Sequence, residues 1–371
     1  MKPKIAVVRG KFLNRYEMQT FEYLTDQFDL TAFGSKTPFH DTFSFPVKKM
    51  VSPMDVPDFP YKMQLLNRLF VDAHYLHGLE KSLKGFDIAH SAETYYRYTQ
   101  QCLNAKQKGC IKKVVVTVLE NIPHNNEGIR GRKSYKKRTR DEVDVLIALT
   151  QKTKKALITE GADEKKIKVI GSGIDTKHFY PRKNKTNNKI RILFVGRFEE
   201  YKGVFNVLHS AKELLTQKND IPLEFIFVGK GSQEQKMKIL AHTLEIQKNV
   251  LFTSVPYEKI ADIYRSADIF VAPSIDTDTW QEQYGYMLLE AQASGLPIVT
   301  TKSGSIPEVV GDAAILVEQQ NVKQLTTALT SFIHNQNLRK EYAKKSRTRA
   351  ETVHDSRVIA QKIADVYTSL L

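Results

Sequence analysis

The sequence predicts an α/β protein with two doubly wound parallel sheets, one in each half of the chain. Short apolar runs with the length and β-branched content of buried strands alternate with longer helix-forming segments. This alternation is typical of strand–helix–strand units in a parallel sheet. It stops at the polar, aperiodic stretch Pro181–Lys189 and starts again at Ile190. A length of 371 residues also suits two domains.

The first half supplies the strands of the first sheet, and the end of the chain is helical. We predict a helix at Tyr16–Leu24 and an irregular insertion at Thr37–Pro60. The predicted strands are Ile5–Val8, Phe86–His90, Val114–Leu119 and Val145–Leu149. The predicted C-terminal helices are Val322–Ile333, Leu338–Glu351 and Val358–Leu371.

One strand–helix–strand unit in the second half carries two acidic residues that are candidates for a ligand-binding site. The apolar run Ala267–Ala272 reads as a strand, a polar loop follows, and the helix-forming run Gly285–Ser294 comes next. The loop follows the carboxyl end of a strand, where open α/β sheets bind ligands, and helix N-termini hold phosphate. Glu282 precedes the helix and Glu290 lies in its second turn. Both carboxylates can therefore face a sugar nucleotide.

The Glu-x7-Glu spacing resembles the signature of retaining glycosyltransferases of the GT-B fold, most closely glycosyltransferase family 4. Further matches follow in the family's order: Gly173-Ile174-Asp175, the strand Arg191–Val195 with Gly-Arg and Lys-Gly, and Phe225–Gly231. The resemblance implies two Rossmann-like domains. Residues 1–180 would form an acceptor domain and residues 190–352 a nucleotide-sugar donor domain. The last helix, residues 353–371, would pack back on the N-terminal domain.

The resemblance also implies roles for individual residues. Arg197 and Lys202 would neutralise the diphosphate of the donor, Glu282 would hold the hexose, and Glu290 would accept the ribose hydroxyls. These residues are surface charges in the alternative interpretation. The other donor-binding residues implied are Gly196, Gly229, Gly231, Val255, Tyr284, Gly285 and Tyr286.

The N-terminal half carries a weaker set of candidates. Gly10 follows the first strand, His90 ends another, and Glu120 lies after a third. The alternative interpretation of His90 is a structural role. Leu119 departs from the family, in which relatives often have His. No general base is then evident, and the resemblance implies that a phosphate oxygen of the donor assists the acceptor.

We expect neither a metal nor a cofactor. Asp276-Thr277-Asp278 has the pattern that chelates a divalent cation in glycosyltransferases of the GT-A fold, but two acids in a polar loop are usually only solvated. The donor would be a UDP-, GDP- or ADP-type sugar. Backbone groups largely read the base in this family, so the sequence leaves it open.

The net charge of +15 favours anionic partners. Between Arg130 and Arg140 seven of eleven residues are basic, and none is acidic. This run is either a solvated face or, on an outer helix, a surface that docks on an anionic membrane. Docking would suit a lipid-linked acceptor or a surface polysaccharide precursor. Cys102 and Cys110 lack metal-type spacing and suit a cytoplasmic protein. Together with the basic run, they lead us to expect a cytoplasmic protein that is peripheral on the inner face of the membrane.

Two other functions stay open. One is a different GT-B activity, such as a sugar-nucleotide epimerase or a phosphorylase, although a phosphorylase would need a far longer chain. The other is nucleic-acid binding, which would call for aromatic residues among the cations. Only Tyr135 lies within the basic run, so we expect no nucleic-acid partner.

Overall fold

The computed structural model describes residues 1–182, 189–217 and 221–371, except for the side chain of residue 67. These residues form two compact units. The first unit consists of Met1–Gly173 together with Ser356–Leu371, and the second unit is Ile174–Asp355. Of the predicted linker, residues 183–188 lie outside the described residues.

A parallel sheet forms the centre of the first unit. Its seven strands, among the described residues, lie in the order β3-β2-β1-β4-β5-β6-β7. They are β1 (Lys4–Gly10), β2 (Asp29–Ser35), β3 (Val47–Met50), β4 (Ile88–Ala92), β5 (Lys113–Val118), β6 (Val145–Ala148) and β7 (Ile167–Val169). The strand order reverses direction between β1 and β4, which pair through Ala6 and Ala89. The carboxyl ends of these two strands therefore border the switch point at which doubly wound sheets bind ligands.

Helices cover both faces of this sheet. They are α1 (Arg15–Phe21), α2 (Lys62–Leu69), α3 (Leu79–Ser82), α4 (Arg97–Gln107), α5 (Arg132–Glu142), α6 (Gln151–Thr159) and α14 (Ser356–Leu370), with 3₁₀ turns at Glu22–Leu24, Pro53–Asp55 and Glu164–Lys166. One core contains Val8, Val116 and Cys102 of α4. The opposite core contains Val7 and Val115 together with apolar residues of α1 and α14.

The C-terminal helix belongs to the first unit, as the resemblance implied. Its apolar stripe includes Ile359, Ile363 and Tyr367, all of them buried against the sheet. Tyr367 also packs edge-on against Phe28 at 5.3 Å between ring centroids. The predicted return of the chain to its N-terminal domain is therefore confirmed.

The first sheet has more strands than the sequence predicted. The prediction omitted β2, β3 and β7. In particular, Thr37–Pro60 was expected to be irregular, but it contributes the edge strand β3. This strand has four residues, two of them exposed lysines, and so lacks the apolar run by which buried parallel strands are found.

The second unit repeats the same architecture. Its sheet has six parallel strands among the described residues, in the order β10-β9-β8-β11-β12-β13. They are β8 (Ile190–Val195), β9 (Leu223–Val228), β10 (Val250–Thr253), β11 (Ile269–Ala272), β12 (Ile298–Thr301) and β13 (Ala314–Val317). The switch point lies between β8 and β11, which pair through Ile192 and Ile269. The loops that follow these two strands carry the predicted donor residues.

The helices of the second unit lie on both faces of its sheet. They are α7 (Val204–Thr216), α8 (Glu234–Thr243), α9 (Ile260–Ser266), α10 (Tyr286–Ala293), α11 (Ile306–Val310), α12 (Val322–His334) and α13 (Gln336–Arg349), with 3₁₀ turns at Glu200–Lys202 and Tyr257–Lys259 and a π-helical turn at Ala350–His354. The largest core joins Phe225 and Phe227 of β9 to Leu208 of α7 and Phe332 of α12. No helix in the described part of the chain is both long and apolar enough to cross a membrane.

Candidate functional site

Two glycine turns form the floor of the predicted donor site. Gly196 follows β8 and donates its N–H to the Val228 carbonyl at 3.0 Å, and Gly229 follows β9 and donates to Thr253 at 2.9 Å. A Cβ on Gly229 would lie 1.9 Å from the Gly196 carbonyl oxygen. Two backbones therefore touch where only glycine fits. Gly231 follows in the same turn, with its Cα against the backbone of Phe198.

Arg197 and Lys202 lie on either side of an aromatic pair. The guanidinium carbon of Arg197 is 5.4 Å from the centre of the Tyr201 ring, and Lys202 Nζ is 4.6 Å from the centre of the Trp280 ring. The two rings contact each other, with their centroids 4.3 Å apart. Arg197 is exposed and forms no ion pair within the described ranges. Its guanidinium interacts electrostatically with Glu199 but stays exposed at the switch point, where an anionic ligand is expected.

Lys202 and Glu282 form an ion pair in the same cluster. Lys202 Nζ donates to Glu282 Oε2 at 2.6 Å, and the Ser274 hydroxyl donates to the same oxygen at 3.0 Å. Only 11% of the lysine side chain and 8% of the glutamate side chain are exposed. The structure thus brings together two residues for which the sequence predicted separate roles.

The loop after β12 fixes the backbone of Glu282. The Ser305 N–H donates to the Glu282 carbonyl at 2.8 Å, and the Glu282 N–H donates to the Ser303 hydroxyl at 3.4 Å. Gly304, with φ +51°, lies so close that a Cβ would be 2.1 Å from the Glu282 carbonyl oxygen. Neither this loop nor Trp280 was predicted from the sequence. The run Ser303-Gly304-Ser305, which Lys302 separates from the end of β12, was the signal that could have revealed the loop.

Glu290 lies inside the second unit, in the second turn of α10. Its side chain is buried, and its Oε2 accepts a hydrogen bond from the Tyr264 hydroxyl at 2.8 Å. Burial raises the pKa of Glu290 to about 7, although hydrogen bonds from Tyr264 and Tyr257 act in the opposite direction. The group is therefore held by neutral donors that leave its charge without a cation partner among the described residues.

The start of α10 offers backbone N–H groups. Gly285 is the N-cap residue, with φ +79°, and Tyr286 begins the helix. The first N–H groups of an α-helix have no acceptor within the helix and attract anions. The Tyr284 side chain is buried and its hydroxyl contacts His354 Nδ1 at 3.1 Å. Tyr284 can therefore contribute to a donor site only through its backbone. Val255 is half-buried and lies beyond the end of β10.

The Asp276-Thr277-Asp278 triplet lies near the same cluster. Asp276 accepts a hydrogen bond from the Ser303 hydroxyl at 2.5 Å, and its N–H donates to Gln319 at 2.7 Å. These contacts hold the Asp276 backbone and one of its carboxylate oxygens within the fold. The residues that the structure describes contain no group of three or more His, Cys, Asp or Glu able to hold a metal ion.

In the first unit, Gly10 and His90 lie at the switch point of the sheet. Gly10 ends β1 with φ +56°, and a Cβ there would be 3.3 Å from the Tyr98 ring. His90 is fully buried. Its Nδ1 contacts the Tyr367 hydroxyl at 2.5 Å and its Nε2 contacts the Thr117 hydroxyl at 2.7 Å. Both ring nitrogens are therefore used within the fold, which supports the structural role for His90.

Glu120 lies beside a second buried acid, Glu93, beyond the ends of β4 and β5. Glu93 Oε1 accepts the N–H groups of Leu119 and Glu120 at 2.8 and 3.3 Å. Its Oε2 is buried and has no hydrogen-bond partner among the described residues. Burial, and secondly the charge of Glu120, raises the pKa of Glu93 to about 8. Burial raises the pKa of Glu120 as well. Glu93 is the residue that the sequence analysis left out of its candidates.

The basic run at Arg130–Arg140 does not form the uniform outer face that we expected. Three of its cations, Arg132, Lys136 and Arg140, are buried. Each pairs with an acid from a distant part of the chain, either Asp72 or Glu160. The exposed Lys137 and the half-exposed Arg138 pair with Asp141 and Glu142, four residues further along α5. The run as a whole is therefore neither a solvated face nor a single docking surface, because distant acids pair with its inward cations.

Comparisons with known proteins agree with this arrangement. The family model described as glycosyl transferases group 1 matches residues 175–349, which is nearly the whole second unit. The D-inositol 3-phosphate glycosyltransferase of Corynebacterium jeikeium is 30% identical over 220 residues, which are 54% of this chain and 51% of that protein. The chain spans about half the length of the curated relatives that it matches.

Solved structures resemble the whole chain. A sucrose-phosphate synthase from Thermosynechococcus elongatus has a TM-score of 0.77 at 18% identity and covers 100% of this chain and 99% of its own. Anabaena Alr3699/HepE, solved in complex with UDP, has a TM-score of 0.76 at 15% identity and covers 100% of both chains. At these identities the likeness establishes the fold. The resemblance seen in the motifs is thereby confirmed: residues 175–349 match the glycosyl transferases group 1 family model, and the two units have the GT-B fold.

Proposed function

We propose that the protein is a retaining glycosyltransferase that moves a hexose from a nucleotide-diphosphate sugar to an acceptor hydroxyl, without a metal. One observation carries the proposal. Arg197 and Lys202 each lie against one ring of the Tyr201–Trp280 pair at the switch point of the second sheet. Arg197 has no ion pair in the described chain, and Lys202 pairs with Glu282. The match of this unit to the glycosyl transferases group 1 model and the UDP held by the Anabaena protein support a sugar nucleotide, with UDP as our first choice of donor nucleotide.

In the reaction that we propose, the bond between the anomeric carbon and the diphosphate oxygen breaks, and its electron pair stays on the diphosphate. The acceptor oxygen bonds to the same face of the anomeric carbon, and its proton passes to a phosphate oxygen of the donor. Arg197, Lys202 and the N-terminus of α10 stabilise the charge that grows on the leaving group. These fixed charges do the work that a divalent cation performs in other transferases.

The two glutamates orient the donor. Glu282 is rigid because its backbone and its carboxylate are both held, so its remaining acceptor capacity suits hexose hydroxyls. Glu290 already accepts a hydrogen bond from the Tyr264 hydroxyl, and a ribose diol offers two further donors of the same kind. Glu282 lies in the loop before α10 and Glu290 lies in the second turn of α10, so seven residues stand between them in the chain.

We also infer an acceptor that is lipid-linked or a surface polysaccharide precursor, and a place of action at the cytoplasmic face of a membrane. The net charge of +15 supports this part of the proposal, since anionic surfaces and phosphorylated acceptors attract a basic protein.

The decisive experiment measures donor binding and nucleotide release separately. Trp280 is the chain's single tryptophan and lies in the candidate site, so its fluorescence reports binding in titrations with UDP, GDP and ADP. A panel of the corresponding sugar nucleotides is then tested for nucleotide release. Release of one nucleotide together with an α-linked product from an α-linked donor supports the proposal. A free epimer of the sugar nucleotide, or binding of nucleic acid with no response to any nucleotide, refutes it.

A further inference from the structure

An unusual share of the exposed apolar surface lies in one short segment of the first unit. Fifteen large apolar side chains are exposed in the described part of the chain, and seven of them fall between Val56 and Phe70. Single exposed apolar residues are ordinary, but a contiguous group marks a surface that binds something. We call the segment Val56–Phe70 the apolar patch.

The centre of the apolar patch is helix α2, which exposes an apolar stripe. Leu65 and Leu69 are four residues apart and therefore lie one above the other on the helix. Tyr61 precedes them at the same spacing. The exposed fractions are 77% for Tyr61, 47% for Leu65 and 66% for Leu69. Gln64 and Arg68 are exposed beside this stripe, whereas Lys62 and Leu66 lie on the buried side of the helix. An exposed apolar stripe flanked by polar residues is typical of an interfacial helix.

Few contacts attach this helix to its own unit. Among its apolar residues only Leu66 is buried, in a small cluster with Met54 and Ala73. Lys62 is also buried, and its Nζ donates to carbonyl groups of the preceding loop and to Asp58. The core of the first unit therefore does not account for the apolar character of Leu65, Leu69 and Phe70.

Cations surround the apolar patch. Arg68 is exposed within it, and the segment after Phe70 reaches the start of α5, where a Cβ on Gly131 would be 2.8 Å from the Val71 side chain. Arg130 and Lys133 are exposed beside that contact. They are the members of the basic run that no acid in the described residues neutralises. The first unit as a whole has 32 Lys and Arg against 20 Asp and Glu, which is +12 of the chain's +15.

We propose that the apolar patch docks on an anionic lipid bilayer, with the stripe of α2 among the acyl chains near the surface and Arg68, Arg130 and Lys133 at the headgroups. Charge decides between this occupant and a second copy of the chain. Two first units meeting face to face would bring +12 against +12, whereas an anionic bilayer attracts the same cations. The docking surface is thus the apolar patch with its flanking cations, and the buried side of the basic run takes no part. This binding does not depend on the transfer reaction.

Co-sedimentation with vesicles tests the proposal. The vesicles contain phosphatidylcholine alone or mixed with phosphatidylglycerol. Wild type is expected to bind the mixed vesicles and to bind phosphatidylcholine vesicles weakly, with release at high salt. Leu65→Ser combined with Leu69→Ser is expected to lower binding about tenfold or more, because the inserted area is lost. Its matched control is Ile239→Ser combined with Leu251→Ser, two exposed apolar residues of the second unit.

The charge contribution has its own pair of variants. Arg130→Ser with Lys133→Ser is expected to weaken binding to the mixed vesicles and to leave binding to phosphatidylcholine unchanged. Lys236→Ser with Lys344→Ser removes two exposed cations of the second unit and is expected to have little effect. Thermal unfolding of every variant confirms that the mutated side chains, all of them exposed, are not needed for folding.

A direct contact measurement completes the test. In a Cys110→Ser background, an environment-sensitive dye on Leu69→Cys is expected to shift to the blue on mixed vesicles, and the same dye on Ile239→Cys is not. The proposal is overturned if the Leu65/Leu69 variant binds as wild type does, or if the dye at position 69 stays in water. It is also overturned if the protein is a dimer in solution that the Leu65/Leu69 variant converts to a monomer.

Discussion

Lys202 Nζ lies 2.6 Å from Glu282 Oε2, and this ion pair joins residues 80 positions apart in the chain. Both side chains are largely buried, and Ser274 donates a second hydrogen bond to the same carboxylate oxygen. A pair of this kind holds each partner in place before a ligand arrives. It also means that neither residue can be removed without leaving the other charge buried.

The first prediction follows from this pairing. Lys202→Met should lower the free energy of unfolding by about 3 kcal/mol, because the Glu282 carboxylate is left buried without its cation. Adding Glu282→Gln should restore most of the stability and should not restore transfer, since the cation for the diphosphate is still absent. Urea unfolding and nucleotide release measure the two effects. Equal stability of the single and double variants, or transfer by the double variant, would contradict the role of the pair.

Arg197→Ala and Glu290→Ala should each remove most of the transfer activity while the protein stays folded. Arg197 is exposed and Glu290 is held only by tyrosine hydroxyls among the contacts described, so neither supports a large part of the core. Loss of one charged contact to the donor costs about 1.5–3 kcal/mol, or about ten- to hundredfold in kcat/KM. The exposed Lys236→Ala is the control. Wild-type turnover in either folded variant would show that the donor site lies elsewhere.

Chelation should leave the reaction intact. The charge of the leaving diphosphate is expected to be met by Arg197, Lys202 and the N-terminus of α10, with no divalent cation. Turnover is measured before and after dialysis against EDTA. If EDTA stops the reaction, Mn²⁺ restores it, and Asp276→Asn abolishes the restoration, then the acidic triplet holds a metal and the assignment of the cations must change.

Donor binding should depend on pH through Glu290. Its pKa is about 7, and only the ionised carboxylate accepts hydrogen bonds from both ribose hydroxyls. Affinity for a UDP-sugar, whose diphosphate does not titrate near neutrality, should therefore weaken as the pH falls from 8 to 6, by up to about tenfold per unit below the pKa. Trp280 fluorescence gives the dissociation constants. Glu290→Gln should bind more weakly and without this slope, and a slope that survives the substitution would assign it to another group.

Glu93 should make the protein less stable as the pH rises. Its pKa in the folded protein is about 8, above the value near 4.5 of an unburied glutamate. Between these values the folded state holds a proton that the unfolded state has lost, so stability is highest below pH 4.5 as far as this group is concerned and is lost towards pH 8. Between these two pKa values the free energy of unfolding falls by up to about 1.4 kcal/mol per pH unit. Thermal unfolding of wild type and Glu93→Gln at several pH values checks it, and identical slopes for the two proteins would contradict the prediction.

The sequence by itself determined the two-sheet architecture and where the predicted donor residues lie in it. Parallel strands buried on both faces are apolar throughout, and the glycine turns after β8 and β9 allow two backbones to touch, so both leave a local signal in the chain. The same holds for Glu282 and Glu290, whose spacing follows from one loop and one helix. The edge strand β3 was missed because four residues with two exposed lysines carry no such signal.

Only the tertiary structure decided which partners these residues have. His90 contacts Tyr367 across 277 positions, Lys136 contacts Glu160 inside the first unit, and Lys202 contacts Glu282. Such contacts support a structural role for His90 and pair the inward cations of the basic run with distant acids. The tertiary structure also leaves the side chains of Leu65 and Leu69 exposed, with no core packed against them. The physical reason is that the local sequence pattern reflects which helix or strand a segment forms. Burial and charge pairing depend instead on which distant segments the fold brings beside it.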